Sequence, residues 1–211
     1  MPIQLSCFST ASTSGVRLSR SEFFELDSAD GISLLRLQSA DGTNRLTIDC
    51  LKALRIAIAD MAHNAGPLVI TGNERFFSAG ADLREISSLR RPSACAFSQM
   101  GQEFMATVES FPAPLYAAIS GYCMGGGLDL ALACRHRIAS PSAVFGHRGA
   151  ALGLITGWGG TQRLPRLIGR ARALEIFITA EKVTANRALQ IGLVDSLAED
   201  PVEGALRSIG R

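Results

Sequence analysis

The chain has 211 residues, 47% of them hydrophobic and 19% charged, with a formal net charge of +2, which suits one domain with a sizeable core. Scattered arginines without an aromatic-rich basic stripe argue against nucleic acid, and no apolar run approaches the ~18 residues of a membrane helix. Five cysteines with no C-x-x-C pair read as reduced thiols and a cytoplasmic location.

Residues 1–20 are rich in Ser and Thr and hold two Arg and no acid. Organellar targeting segments share that composition, but the amphipathic Arg stripe is missing. We therefore read residues 1–22 as a lead-in without regular structure, and residues 23–211 as one domain.

In "FFELDSADGISLLRLQSA" an Asp-Gly pair separates two strand-like runs, which predicts a hairpin. The apolar/polar alternation of its second strand slips once, at Leu34-Leu35. Apolar Leu51, Leu54, Ile58 and Met61 recur at helical spacing. "GPLVITG" is a short apolar run bounded by Gly, the mark of a buried parallel strand. A loop of small residues follows, "SAGA", and then a helix for which Asp82 is a good N-cap. The theme repeats in "PLYAAISGYCMGGGLDLALACRHRIAS": a strand over 115–119, a Gly-rich loop, a helix over 126–134 and another strand. The tail beyond "GWGGTQRL" reads as mostly helical. Strands alternating with helices predict an α/β fold with a parallel sheet.

Both small-residue loops lie between a strand and a helix, where first-turn N–H groups lack intrahelical acceptors and carry the positive end of the helix dipole. Backbone N–H groups of Ala81 and Gly126 are candidates to converge on one carbonyl oxygen. Tight helix–sheet packing would select the same small residues. A phosphate cradle is disfavoured, since neither G-x-x-x-x-G-K-[ST] nor G-x-G-x-x-G occurs.

Taken together, "LVITGNERFFSAGADLREI", "ISGYCMGGGLDLALAC" and "LGLITGWGGTQRLPRLIGRARALEIFITAEKVTANRALQIGLVDSL" resemble the crotonase superfamily, the enoyl-CoA hydratase/isomerase family. The resemblance runs from about residue 23 to the end. It implies a spiral of ββα units, a homo-trimer or hexamer, and an acyl-CoA thioester substrate, with coenzyme A entering as part of the substrate and no bound cofactor or metal. It also implies an oxyanion hole at Ala81 and Gly126. Contacts with CoA or substrate are implied for Asn44, Arg45 and Leu46, for Ala79, Gly80, Ala81, Asp82 and Leu83, and for Gly125, Gly126 and Gly149.

The chain departs from that pattern where the chemistry lies. The resemblance implies two glutamates that hold water; the first position is Asp129, a methylene shorter, and the second is Gly149, which offers no acid or base. Asp129 is thus the one in-family acid/base, although a carboxylate in a first helical turn also simply complements the dipole. His147 reads as a partly exposed loop residue that titrates near neutral pH. Arg163 reads as structural, and Trp158 as core or as a wall of the acyl pocket. The helical segment after "GLVDSL" is shorter than the resemblance implies.

The expected function is that of an acyl-CoA-acting enzyme, a lyase or isomerase, for which ordinary two-glutamate hydration is doubtful. Alternatives are decarboxylation or thioester hydrolysis with a different helper such as His147, a C–C bond-forming reaction like that of the dihydroxynaphthoyl-CoA synthases with an external base such as bicarbonate, and a non-catalytic acyl-CoA-binding or assembly subunit.

Overall fold

The structure is a computed structural model that describes residues 16–210. Along the chain run β1 (Val16–Arg20), β2 (Phe24–Ala29), β3 (Ile32–Leu37), β4 (Arg45–Leu46), α1 (Ile48–Ala62), β5 (Leu68–Thr71), β6 (Phe76–Ser78) and β7 (Gly80–Ala81). Next come α2 (Leu83–Ser88), α3 (Arg91–Glu109), β8 (Leu115–Ile119), β9 (Tyr122–Met124), α4 (Gly126–Ala133), β10 (His136–Ala139) and β11 (Val144–Gly146). The remainder holds α5 (Gly160–Ile168), α6 (Arg170–Thr179), β12 (Val183–Thr184), α7 (Ala185–Gln190), β13 (Ser196–Leu197) and α8 (Pro201–Ile209).

Seven strands form the main sheet in the order β1-β2-β3-β5-β8-β10-β13. The hairpin end is antiparallel and the rest parallel. Asp30 and Gly31 both take positive φ at the hairpin turn, the conformation that makes Asp-Gly a hairpin signal. The slip at Leu34-Leu35 has a physical cause, because this strand is buried on both faces. Leu35 and Leu37 join the main core, while Ile32 and Leu34 pack with Val69, Tyr116 and Ile138 under Ala205 and Leu206 of α8.

The remaining expectations for regular elements hold closely. Helix α1 buries Leu51, Leu54 and Ile58 and is capped by Thr47, whose side chain accepts from the Cys50 N–H. All four residues of β5 are buried. Besides the short strands of two or three residues, two longer elements escape the sequence reading. Helix α3 is one, and β1 is the other: Val16–Arg20 fall within the expected lead-in yet pair antiparallel with β2. The rest of the lead-in, residues 1–15, lies outside the described residues. The four cysteines at 50, 95, 123 and 134 are free thiols.

A second, four-stranded sheet in the order β12-β11-β9-β6 leads the chain toward both Gly-rich loops. β4 pairs with β7 and fixes the first loop against the segment at 44–46.

Candidate active site

The two loops meet. Gly80 takes φ +89, and a Cβ there would lie 2.5 Å from the Met124 carbonyl oxygen and 2.8 Å from the Gly126 nitrogen, so the first loop can rest on the second only while this residue is Gly. From the other side, the Cβ position of Gly126 is 3.3 Å from the Ala81 nitrogen. Gly126 opens α4, where its N–H has no intrahelical acceptor. The two backbone N–H groups singled out from the sequence are therefore neighbours at one end of one helix.

Hydrogen bonds hold the first loop in place. The Ala79 N–H donates to Thr43 O, Gly80 N–H to Ser78 Oγ, and Ser78 Oγ in turn to Asn44 O. Asn44 is buried and its Nδ2 donates to the carbonyls of Phe76 and Phe77, so its side chain braces the loop from beneath. Leu46 is fully buried, whereas Arg45 lies at the surface, its guanidinium shared between Asp41 (2.7 Å) and Asp82 (3.4 Å). Asp82 caps α2 as expected, accepting from the Arg84 N–H at 2.7 Å. This bond, with the contribution of Arg45, holds its carboxyl below the usual carboxylate range.

The loops open into a cavity of about 410 Å³. Its walls are largely apolar, with Leu83, Ile86, Phe97, Leu154, Ile155 and Trp158 among them. Trp158 is both wall and core: it is 3% exposed and tilted against Phe97 at 5.2 Å between ring centroids. Its ring also covers Gly126, whose Cβ position is 2.3 Å from the indole. Gly125, Gly126 and Gly149 line the same cavity, as do Ala79, Ala81, Asp129 and His147. Arg163 is structural, donating to Trp158 O and pairing with Glu109 at 2.6 Å.

Asp129 projects from the first turn of α4 and is 1% exposed. Desolvation raises its carboxyl to about 7, against the lowering effect of Thr156, Arg163 and the Gly160 N–H. Thr156 Oγ1 donates to Asp129 Oδ2. Its other oxygen, Oδ1, faces His147 Nε2 at 3.4 Å.

His147 corrects the sequence reading. The loop after β11 was expected to leave it partly exposed; instead it is 3% exposed, with Phe177 of α6 against its ring at 5.2 Å. Burial lowers it to about 4, away from the neutral range expected for it. The contacts that enclose it come from α4, α5 and α6, so no local pattern announces them. Gly149 sits on a 3-10 turn (Arg148–Leu152) without positive φ. A Cβ there would be 2.6 Å from Leu154 O, so the backbone itself occupies the space at the root of any longer side chain.

A family model for enoyl-CoA hydratase/isomerase matches residues 27–210. A probable enoyl-CoA hydratase of Bacillus subtilis is 42% identical over 163 residues, covering 76% of this chain and 63% of that protein. Crotonyl-CoA hydratase of Syntrophomonas wolfei is 35% identical over 179 residues, covering 82% of this chain and 68% of its own length. The crystal structure of enoyl-CoA hydratase from Bacillus anthracis superposes with a TM-score of 0.84 at 34% identity, over 89% of this chain and 75% of that one. The match thus spans less than two-thirds of the Bacillus subtilis relative. With loops, fold and sequence in agreement, the chain belongs to the enoyl-CoA hydratase/isomerase family.

Proposed function

We propose that the protein is an acyl-CoA-acting lyase or isomerase that polarises a thioester carbonyl between the N–H groups of Ala81 and Gly126. The observation that carries this reading is the contact of the two loops, which sets those N–H groups side by side at the N-terminus of α4 and at the edge of an apolar cavity. A thioester oxygen gaining negative charge there is stabilised by roughly 3 kcal/mol per donor. The acyl chain would lie along Leu83, Ile86, Phe97 and Trp158. The pantetheine and nucleotide of CoA would follow the backbone of Ala79–Leu83 and the rim at Arg45. Proton chemistry belongs to the Asp129 side of the cavity, because Gly149 carries no acid. The exposed Leu174 and Ile178 on α6 support a homo-oligomer, trimer or hexamer, whose size light scattering would give.

Replacing Gly126 is a poor test, since any side chain there meets Trp158. The carbonyl can be read directly. Cinnamoyl-CoA carries a chromophore conjugated to its thioester, and polarisation of the carbonyl moves its absorption to longer wavelength. A red shift on binding is expected. Saturable binding with an unshifted spectrum would overturn the oxyanion assignment.

A further inference from the structure

Among the described residues, Asp129 Oδ1 and His147 Nε2 are buried without a hydrogen-bond partner and face each other at 3.4 Å. The space that lets them approach is kept by Gly160, whose Cβ would lie 2.1 Å from Asp129 Oδ1 and 3.0 Å from His147 Nε2. Asp129 Oδ2 is already engaged by Thr156, and the nearby Gly160 N–H favours the ionised form of this carboxyl. Both carboxylate oxygens are therefore turned to protein groups. With Nε2 directed at Asp129, Nδ1 is the ring nitrogen of His147 left for the cavity that this residue lines.

We propose that His147 is the base of this site: held through Nε2 by Asp129, it takes a proton at Nδ1 from the carbon next to the thioester carbonyl. Asp129 is then a positioning residue rather than the group that touches the substrate. The proposal rests on the carbonyl-polarising reading above. In the step, the C–H bond breaks and its proton passes to Nδ1. The electron pair forms the enolate double bond, and the charge settles on the thioester oxygen between Ala81 and Gly126. The imidazolium so formed is neutralised by the Asp129 carboxylate, and return of a proton from Nδ1 regenerates both partners.

The pairing sets the tautomer. As a carboxylate, Asp129 accepts from Nε2–H and leaves a lone pair on Nδ1. When protonated, Asp129 donates to Nε2, the ring proton moves to Nδ1, and the base is lost. Desolvation places this change at about pH 7. The groups that bear on the pair are few. Arg163 from α5 acts on Asp129, with its own guanidinium bound to Glu109 and Trp158 O. Cys123 from β9 is fully buried, its thiol pushed up by burial. Arg148 follows His147 in the chain and is exposed, and α6 presents the Phe177 ring.

The test is exchange of solvent deuterium into carbon 2 of butyryl-CoA, read by mass spectrometry, since it needs a base and a polarised carbonyl but no particular reaction. Exchange should rise as pH passes through about 7. His147→Ala should lower it by about a hundredfold or more while cinnamoyl-CoA still shows its red shift, and added imidazole should restore part of it. His147→Gln, which keeps the volume, should be as slow and should not respond to imidazole. Asp129→Asn should slow exchange and remove its rise near neutral pH. A folded His147→Ala or His147→Gln protein that shifts the probe yet exchanges at the parental rate overturns the proposal. So does a loss in His147→Ala that imidazole does not relieve, or a parent that shifts the probe without exchanging. An unshifted probe in the parent would instead sink the oxyanion reading itself.

Discussion

Replacing Asp129 by Asn should make the protein more stable above neutral pH even as it disables the site. The carboxyl rises from an ordinary 3.8 to about 7 because α4 carries it out of water, and its hydrogen bonds offset only part of that. A group whose folded value is raised contributes stability that is present below its unfolded value and lost as pH climbs through the folded one. At about 1.4 kcal/mol per pH unit, the charged form at pH 8 is a burden on the order of 4 kcal/mol. Asn removes it while keeping the shape: its carbonyl can accept from Thr156 and its amide can donate to His147 Nε2. Guanidinium unfolding of parent and variant from pH 4 to pH 8.5 gives the difference directly. His147 faces Asp129 at 3.4 Å and its titration changes with the substitution, so the same comparison in a His147→Gln background isolates the carboxyl. The variant's advantage should be near zero at pH 4, grow through pH 7 and then level off. A difference that does not change with pH, or a parent more stable at pH 8, would mean that the carboxylate is fully compensated. The imidazole would then have taken the proton, and the reasoning about its tautomer would fail.

Restoring the two glutamates of the family pattern (Asp129→Glu with Gly149→Glu) should not raise crotonyl-CoA hydration, because a Cβ at Gly149 meets the Leu154 carbonyl at 2.6 Å. The same variant should melt below the parent, and a tenfold rate gain would show that the 148–154 turn yields easily. Arg137→Ala should destabilise by roughly 2–4 kcal/mol in chemical denaturation. That buried guanidinium donates to the carbonyls of Leu193 and Cys134 and lies 3.6 Å from Asp195, joining β10 to the segment before β13. A loss below about 0.5 kcal/mol, the range of ordinary surface substitutions, would show those carbonyls finding other donors.

Signals that act within a few residues were legible in the sequence. Asp30-Gly31 marks the hairpin by its backbone requirement, Asp82 marks the start of α2 by its cap, and the Leu51–Leu54–Ile58 spacing marks the buried face of α1. The small-residue runs around Ala81 and Gly126 pointed to the two loops that meet at the cavity, because close backbone approach permits few other residues. Elements held by distant partners were not legible. All of β1 is exposed and owes its place to pairing with β2. Helix α3 carries polar residues and Gly101 through its length. The strands of the second sheet are two or three residues long, too short to show a period. His147 was misread for the same reason, since its burial is made by Asp129, Gly160 and Phe177, none of them near it in the chain.

Trp158 touches two absent side chains at once. The five-membered edge of its indole fills the Cβ position of Gly101 on α3, at 2.1 Å, and the six-membered edge fills that of Gly126 on α4. The three residues are therefore one heritable unit, and their substitutions should be strongly epistatic. A methyl at position 101 or 126 collides with the ring when introduced alone, yet becomes tolerable once position 158 has shrunk. A smaller residue at 158 opens space on both flanks together, beside α3 and beside the N-terminus of α4. Any path toward a wider cavity is then ordered: position 158 must change first, and the glycines can follow only afterwards.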